Sequence, residues 1–276
     1  AVSRGIYIDC GPGLGLKRGP NFGNPRALAE SDAEWDRCLR ATTCAYGLEN
    51  AGPRPANAVS RANRLAQALC RRTVRTELDV DSLRPFIGED ARLVRTMASS
   101  KDVHLFDNKL GASLVPEDIP RLVREHQDTV QIIISDGLSA DAIAHNIPVL
   151  LPALRAELAA RGVRTSAHGV IVARYGRVKL AEVISEATGA KLVINLIGER
   201  PGGDIASSRS MSAYMAFAVG PSKFEYLVLN SIYPDSGLPP EAAAKRIGAT
   251  AFLILKYNAA GRSEERRVGK ECRSRW

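Results

Sequence analysis

The chain has 276 residues, 45% of them hydrophobic and 5% aromatic, with 38 basic and 30 acidic side chains. That is enough apolar material for one sizeable core, or for a core with a smaller appendage, and it argues against a fibre or a disordered chain. No run approaches the roughly 20 consecutive apolar residues of a membrane-spanning helix, and no basic segment leads into an apolar stretch at the start, so neither a span nor a signal peptide is expected.

Residues 1 to 40 read as an irregular N-terminal segment, dense in Gly and Pro up to about residue 28, with a short helical pattern near 31–42. Its glycines match neither phosphate-binding fingerprint: Gly13-x-Gly15 is followed by Arg18 where a third Gly is needed, and no Lys-Ser/Thr pair follows. Residues 41–126 form a mainly helical region. Pro53 and Pro55 set an extended entry, after which Val59, Ala62, Leu65/Ala66, Leu69 and Thr73 recur at helical spacing, with Arg61, Arg64, Arg72 and Arg75 mainly on other faces. No acidic residue occurs from Asn50 to Thr76, so this face suits an acidic partner or simply solvent; without interleaved aromatics it does not suit nucleic acid. Residues 78–120 show no organising period, and a helix is expected from Pro116 to about Gln127.

From residue 127 the pattern changes. The apolar runs "VQIIIS", "GVIVARYG" and "KLVINLIG" alternate with helical segments, the first carrying Leu151, Leu154 and Leu158 and the second reading "VKLAEVISEATG". Strands apolar throughout, separated by helices, predict parallel strands covered on both faces. Two further β-like runs (213–219 and 226–232) and a last helix beginning at Pro239-Pro240 complete a domain over 127–261. The fold class expected is α/β, a doubly wound (Rossmann-like) mostly parallel sheet with a helical N-terminal region. The last fifteen residues, 262–276, are basic and without period, are similar to the translation of a sequencing adapter, and are set aside; the remainder holds 32 basic against 27 acidic side chains, a net charge of +5 rather than +8.

Ligands of open α/β sheets bind beyond the carboxyl ends of the strands, where loops converge and helix N-termini offer N–H groups. Three loops leave strand ends here: Ser135-Asp136-Gly137-Leu138-Ser139, Arg174-Tyr175-Gly176-Arg177-Val178 and Gly198-Glu199-Arg200-Pro201-Gly202. Together they offer carboxylates, guanidinium groups and close backbone approach to a large ligand with polar edges; the plainer reading is a set of helix caps and turns in which Glu199 pairs with Arg200 or Arg174. Catalytic constellations are not expected. His104, His126, His145 and His168 lack metal spacing, the five scattered cysteines Cys10, Cys38, Cys44, Cys70 and Cys272 lack it too, and no Gly-x-Ser-x-Gly elbow occurs. A reducing, cytoplasmic compartment follows as the simplest expectation.

The segments "AGPRP" (51–55), "ISDGLSADAI" (134–143), "ARYGRVKLAEVISEATGAKLVINLIGERPG" (173–202) and "PPEAAA" (239–244) resemble the small (light) subunit of ethanolamine ammonia-lyase, over about residues 41–260. The resemblance implies an adenosylcobalamin-dependent lyase that converts ethanolamine to acetaldehyde and ammonia, assembled with a large subunit that holds the substrate, in the cytoplasm either free or in a bacterial microcompartment. Cobalamin would lie between the subunits, with no catalytic residue and no metal ligand on this chain and the cofactor's own base as lower ligand; Asp141 and His145 have the wrong separation for an Asp-x-His-x-x-Gly ligand motif. Carried onto this sequence, the family's cobalamin contacts fall on Val178, Glu199 and Val228. Val228 stands where the family has a Cys. Arg200 is expected to hold Glu199 in place. A non-catalytic scaffold or cofactor-docking relative is the alternative from another class; a nucleotide-binding enzyme lacks its fingerprint.

Overall fold

A computed structural model describes residues 50–51, 54–55, 57–122, 124, 129–201, 206–234 and 237–260. The glycine-rich start, the helical pattern near 31–42, Gly202 and residues 262–276 lie outside this set, as do Cys10, Cys38, Cys44, Cys272 and His126. The chain divides into two compact units, Ala1–Val74 with Pro201–Ser208, and Arg75–Arg200 with Arg209–Trp276.

In the first unit, strands β1 (Asn50–Ala51) and β2 (Arg54–Pro55) pair antiparallel ahead of helix α1 (Asn57–Arg75). Arg61, Arg64, Arg72 and Arg75, set off the apolar stripe by their spacing, are exposed. The buried side of α1 is carried by Ala66, Cys70 and Thr73, whereas Leu65 is 45% exposed, so the apolar stripe sits one residue further round than the larger side chain implied.

The second unit is a mixed α/β structure built on one six-stranded, mostly parallel sheet. Its strands are β3 (Arg92–Arg95), β4 (Val130–Ser135), β5 (Thr165–Arg174), β6 (Leu192–Gly198), β7 (Met211–Gly220) and β8 (Lys223–Ile232), in the spatial order β3-β5-β4-β6-β7-β8. The first four in that order run parallel; β7 and β8 close the far edge as an antiparallel hairpin. The helices are α2 (Arg84–Ile87), α3 (Lys101–Phe106), α4 (Ala140–Ala160), α5 (Leu180–Thr188) and α6 (Pro240–Tyr257). Successive strand residues point to opposite faces. Ile132 and Ile134 therefore join Leu151, Leu154 and Leu158 of α4 and Ile247 and Ile254 of α6 in one core, while Ile133 joins Leu180 and Ile184 of α5 in the other. Every residue of β4 and β6 is buried, which is what their unbroken apolar runs require of central strands.

Helix α4 starts where Ser139 accepts the Ala142 N–H at 3.0 Å, and it continues through Pro148 and Pro152. Each proline removes one backbone bond. Both lie on the side that also exposes Ala144, His145 and Val149, where water can satisfy the carbonyls left open.

The segment that showed no period is organised by partners far away in sequence. β3 is the parallel edge strand, and its outer side is covered by residues 113–118: Met97 donates to the Ser113 carbonyl at 2.9 Å, Val115 to the Arg95 carbonyl at 3.0 Å, and Asp118 accepts the Arg95 N–H at 2.7 Å. Asp118 is buried and also takes the guanidinium groups of Arg95 and Arg121, and the hydrogen bonds from Arg95 pull its carboxyl down to about 2. The described residues of the helix expected over 116–127, namely 116–122 and 124, form no α-helix. A single 3-10 turn, Ile119–Arg121, stands there, because Pro120 withholds an N–H and Asp118 is committed to β3; residues 123 and 125–128 are outside the described set. No helix among the described residues is long and apolar enough to cross a membrane.

Candidate functional site

The three strand-end loops meet at one edge of the sheet, tied together by a buried carboxylate. Asp136, at the end of β4, accepts the backbone N–H of Tyr175 at 2.5 Å with one oxygen and the ammonium of Lys101 at 2.9 Å with the other. Lys101, on α3, is itself buried and reaches the Gly137 carbonyl at 3.1 Å. The third loop joins through backbone, the Leu138 N–H donating to the Gly198 carbonyl at 2.9 Å. Asp136 is thus a tie between loops rather than a helix cap; Ser139 alone caps α4.

The loop after β5 has a second set of anchors. His104 Nδ1 lies 2.7 Å from the Tyr175 carbonyl, which fixes the proton on Nδ1 in the neutral ring, and the Arg177 guanidinium donates to the His104 carbonyl at 2.6 Å. The Arg177 N–H goes to the Gly111 carbonyl at 2.8 Å, the Thr96 hydroxyl to the Arg174 carbonyl at 3.1 Å, and Arg174 itself bonds Glu77. Burial, reinforced by the positive charge of Arg177, lowers the pKa of His104 below its usual 6.5. The unfolded chain therefore binds more protons than the folded one in the window below 6.5. The stability that His104 contributes is complete above pH 6.5 and is lost as pH falls from there through the lowered folded value. Melting curves between pH 8 and pH 5 are expected to show a steeper acid loss for the native chain than for His104→Asn; parallel curves would assign the acid sensitivity elsewhere.

The residues singled out in the sequence occupy the face of the sheet that α5 covers. Val178 is half-buried in the turn that leads into α5. Asn195 of β6, Tyr214 of β7 and Val228 of β8 are successive register partners and so share one face in a row. Asn195, fully buried, donates to the Arg177 carbonyl at 3.2 Å, beside Val178; Tyr214 donates its hydroxyl to Glu199 Oε1 at 2.9 Å; Val228 is 45% exposed at the end of the row. The Glu199 N–H is held by the Ser210 carbonyl at 3.0 Å. Tyr214, not Arg200 or Arg174, is the side chain that holds Glu199. Arg200 is exposed; burial, and after it the charge of Arg200, lowers the pKa of Arg177. Sequence reasoning missed Asn195, although a lone amide inside an apolar run was a visible signal; Tyr214 gave none, because its partner is set by register.

The arrangement offers a half-buried carboxylate with one oxygen engaged and a half-buried Val at the strand-end loops, and an exposed Val at the end of the Asn195–Tyr214–Val228 row. The family model for ethanolamine ammonia-lyase light chain (EutC) matches residues 32–263, which covers every described element. The chain belongs to that family. Ethanolamine ammonia-lyase light chains are subunits of a lyase, and a light chain implies a partner subunit. Among the described residues no group of three His, Cys, Asp or Glu side chains is placed to hold a metal ion. A cavity of about 680 Å³ borders the second loop at Arg174 and Tyr175, with apolar walls that include Leu93, Met97 and Val172 and with Arg95 and Arg121 among its lining residues.

Proposed function

We propose that the chain is the small subunit of an adenosylcobalamin-dependent ethanolamine ammonia-lyase, acting in the cytoplasm, inside a bacterial microcompartment or outside one, and contributing part of the cobalamin site where it meets the large subunit. Family membership over residues 32–263 carries this reading. The parallel strands between two helical layers support a doubly wound, Rossmann-like framework over 127–261, to which the preceding region 41–126, expected to be mainly helical, adds β3 as the edge strand.

The donor set fits the group. A corrin is an apolar macrocycle fringed with amides, whose NH₂ groups donate to carboxylates. Glu199 would accept such an amide with the capacity that Tyr214 leaves free, while Val178 and Val228 would meet apolar edge. Adenosylcobalamin supplies radical chemistry when bound. The work of this chain is to hold and orient the cofactor and to exclude water at the junction of the three loops. No side chain of this chain is needed as a general base in this reading.

Val228, in place of the family's Cys, keeps an apolar contact and drops the thiol. The test is co-expression of the chain with a large subunit, followed by assay of ethanolamine-dependent acetaldehyde formation with and without adenosylcobalamin. Activity that needs both the chain and the cofactor, and that falls about tenfold or more on Glu199→Ala, is expected. A stable complex that binds cobalamin without turnover would instead establish the scaffold reading, and failure to associate would leave only the fold in common with the family.

A further inference from the structure

We propose that Tyr214 is a positioning residue for the cofactor: by donating its hydroxyl to one carboxylate oxygen of Glu199, it sets the other oxygen to accept an amide N–H of cobalamin. The proposal rests on the reading of Glu199 as a cobalamin contact. Glu199 follows the last residue of β6, so its backbone is held by the Ser210 carbonyl while its side chain would otherwise be free to rotate. Tyr214 restrains it across the strand pairing. Tyr214 is half-buried, with Asn195 and Val228 as its register partners on either side, and its phenol oxygen donates to Glu199 Oε1 at 2.9 Å. Burial and the neighbouring Glu199 push the Tyr214 hydroxyl up to about 12, so near neutral pH it donates and never competes as a charge.

A second tyrosine provides the control. Tyr226, on β8, donates to Glu182 Oε1 of α5 at 2.7 Å, an equivalent bond on a carboxylate that no part of the site uses. Both Tyr→Phe changes remove one half-buried hydroxyl from a glutamate, so a purely structural role predicts equal consequences for the two.

Affinity for cyanocobalamin is measured by absorption titration on the assembled complex of the full chain with a large subunit, for the native protein, Tyr214→Phe, Glu199→Ala, the double variant and Tyr226→Phe. The expected result is binding about tenfold weaker for Glu199→Ala, about three- to tenfold weaker for Tyr214→Phe, no further loss in the double variant, and unchanged binding for Tyr226→Phe. Tyr214→Phe binding like the native protein, while Glu199→Ala weakens, would overturn the positioning role alone, and so would losses that multiply in the double variant. If Glu199→Ala binds normally, the reading of Glu199 fails and the proposal goes with it. The bond itself is tested on the full chain without its partner: in ¹³C-tyrosine NMR titrations Glu199→Gln is expected to bring the Tyr214 transition down from about 12, and an unmoved transition would break the link.

Discussion

Asp136→Ala is expected to lower the unfolding free energy by about 3–5 kcal/mol, the largest loss of any single polar change at the loop junction. The carboxylate is fully buried and makes two bonds that no other group replaces: the Lys101 ammonium at 2.9 Å and the Tyr175 N–H at 2.5 Å. Its removal leaves Lys101 buried with only the Gly137 carbonyl, at 3.1 Å, and leaves a backbone donor without an acceptor. Lys101→Met inverts the problem by stranding the carboxylate, and a loss of similar size is expected. The pair Lys101→Met with Asp136→Asn separates burial of charge from loss of the tie: Asn can still accept from Tyr175, and neither charge remains. The double variant is therefore expected to be more stable than Asp136→Ala or Lys101→Met alone. Denaturant unfolding of the four proteins measures this directly. An Asp136→Ala chain within about 1 kcal/mol of the native one would mean that the three loops are held by their backbone bonds and not by the buried pair.

The central architecture was readable because β4 and β6 are buried on both faces, which makes burial coincide with an unbroken apolar run, and because α4, α5 and α6 present ordinary helical spacing. β3 escaped notice for the opposite reason: of its four residues only Val94 is buried, and its place is fixed by Ile171–Arg174 of β5 and by Asp118, all more than twenty residues away. The described part of the helix expected over 116–127 departs from that expectation for the same kind of reason, since Asp118 is spent on Arg95. The loops of the candidate site could be located, because strand ends locate them. Their contents could not. The tie between Lys101 and Asp136 spans 35 residues, and that between Tyr214 and Glu199 spans 15 through antiparallel register, whereas sequence proximity suggested Arg200. An adjacent opposite charge is a poor guide to a partner here, because Arg200 lies exposed whereas the Glu199 side chain is taken by Tyr214 of the neighbouring strand.

The second large effect belongs to Gly198, the last residue of β6. A Cβ placed there would fall onto the Ser139 carbonyl oxygen and lie 2.6 Å from the Asp136 carbonyl oxygen, both of them backbone atoms of the loop between β4 and α4. Neither can step aside cheaply, since Ser139 caps α4 and Asp136 is anchored by Lys101. Nor can Gly137 give way: it sits at φ +52°, and its own position is filled by the Gly198 carbonyl and Ile197. Gly198→Ala must therefore push β6 away from the β4 loop, break the bond from Leu138 to the Gly198 carbonyl and carry Glu199 with it. An overpacking cost of about 3 kcal/mol is expected, which for a domain of this size lowers the melting temperature by roughly 6–12 °C. The effect on the site should exceed the effect on the fold. Glu199 is one residue away, so Gly198→Ala at a temperature where the chain remains folded is expected to bind cyanocobalamin as weakly as Glu199→Ala. Alanine at Gly220, where a Cβ would meet no atom within 4 Å, is the matched glycine control and should leave binding unchanged. Native-like cobalamin affinity in a destabilised Gly198→Ala complex would show that the position of Glu199 does not depend on the close approach of the two loops.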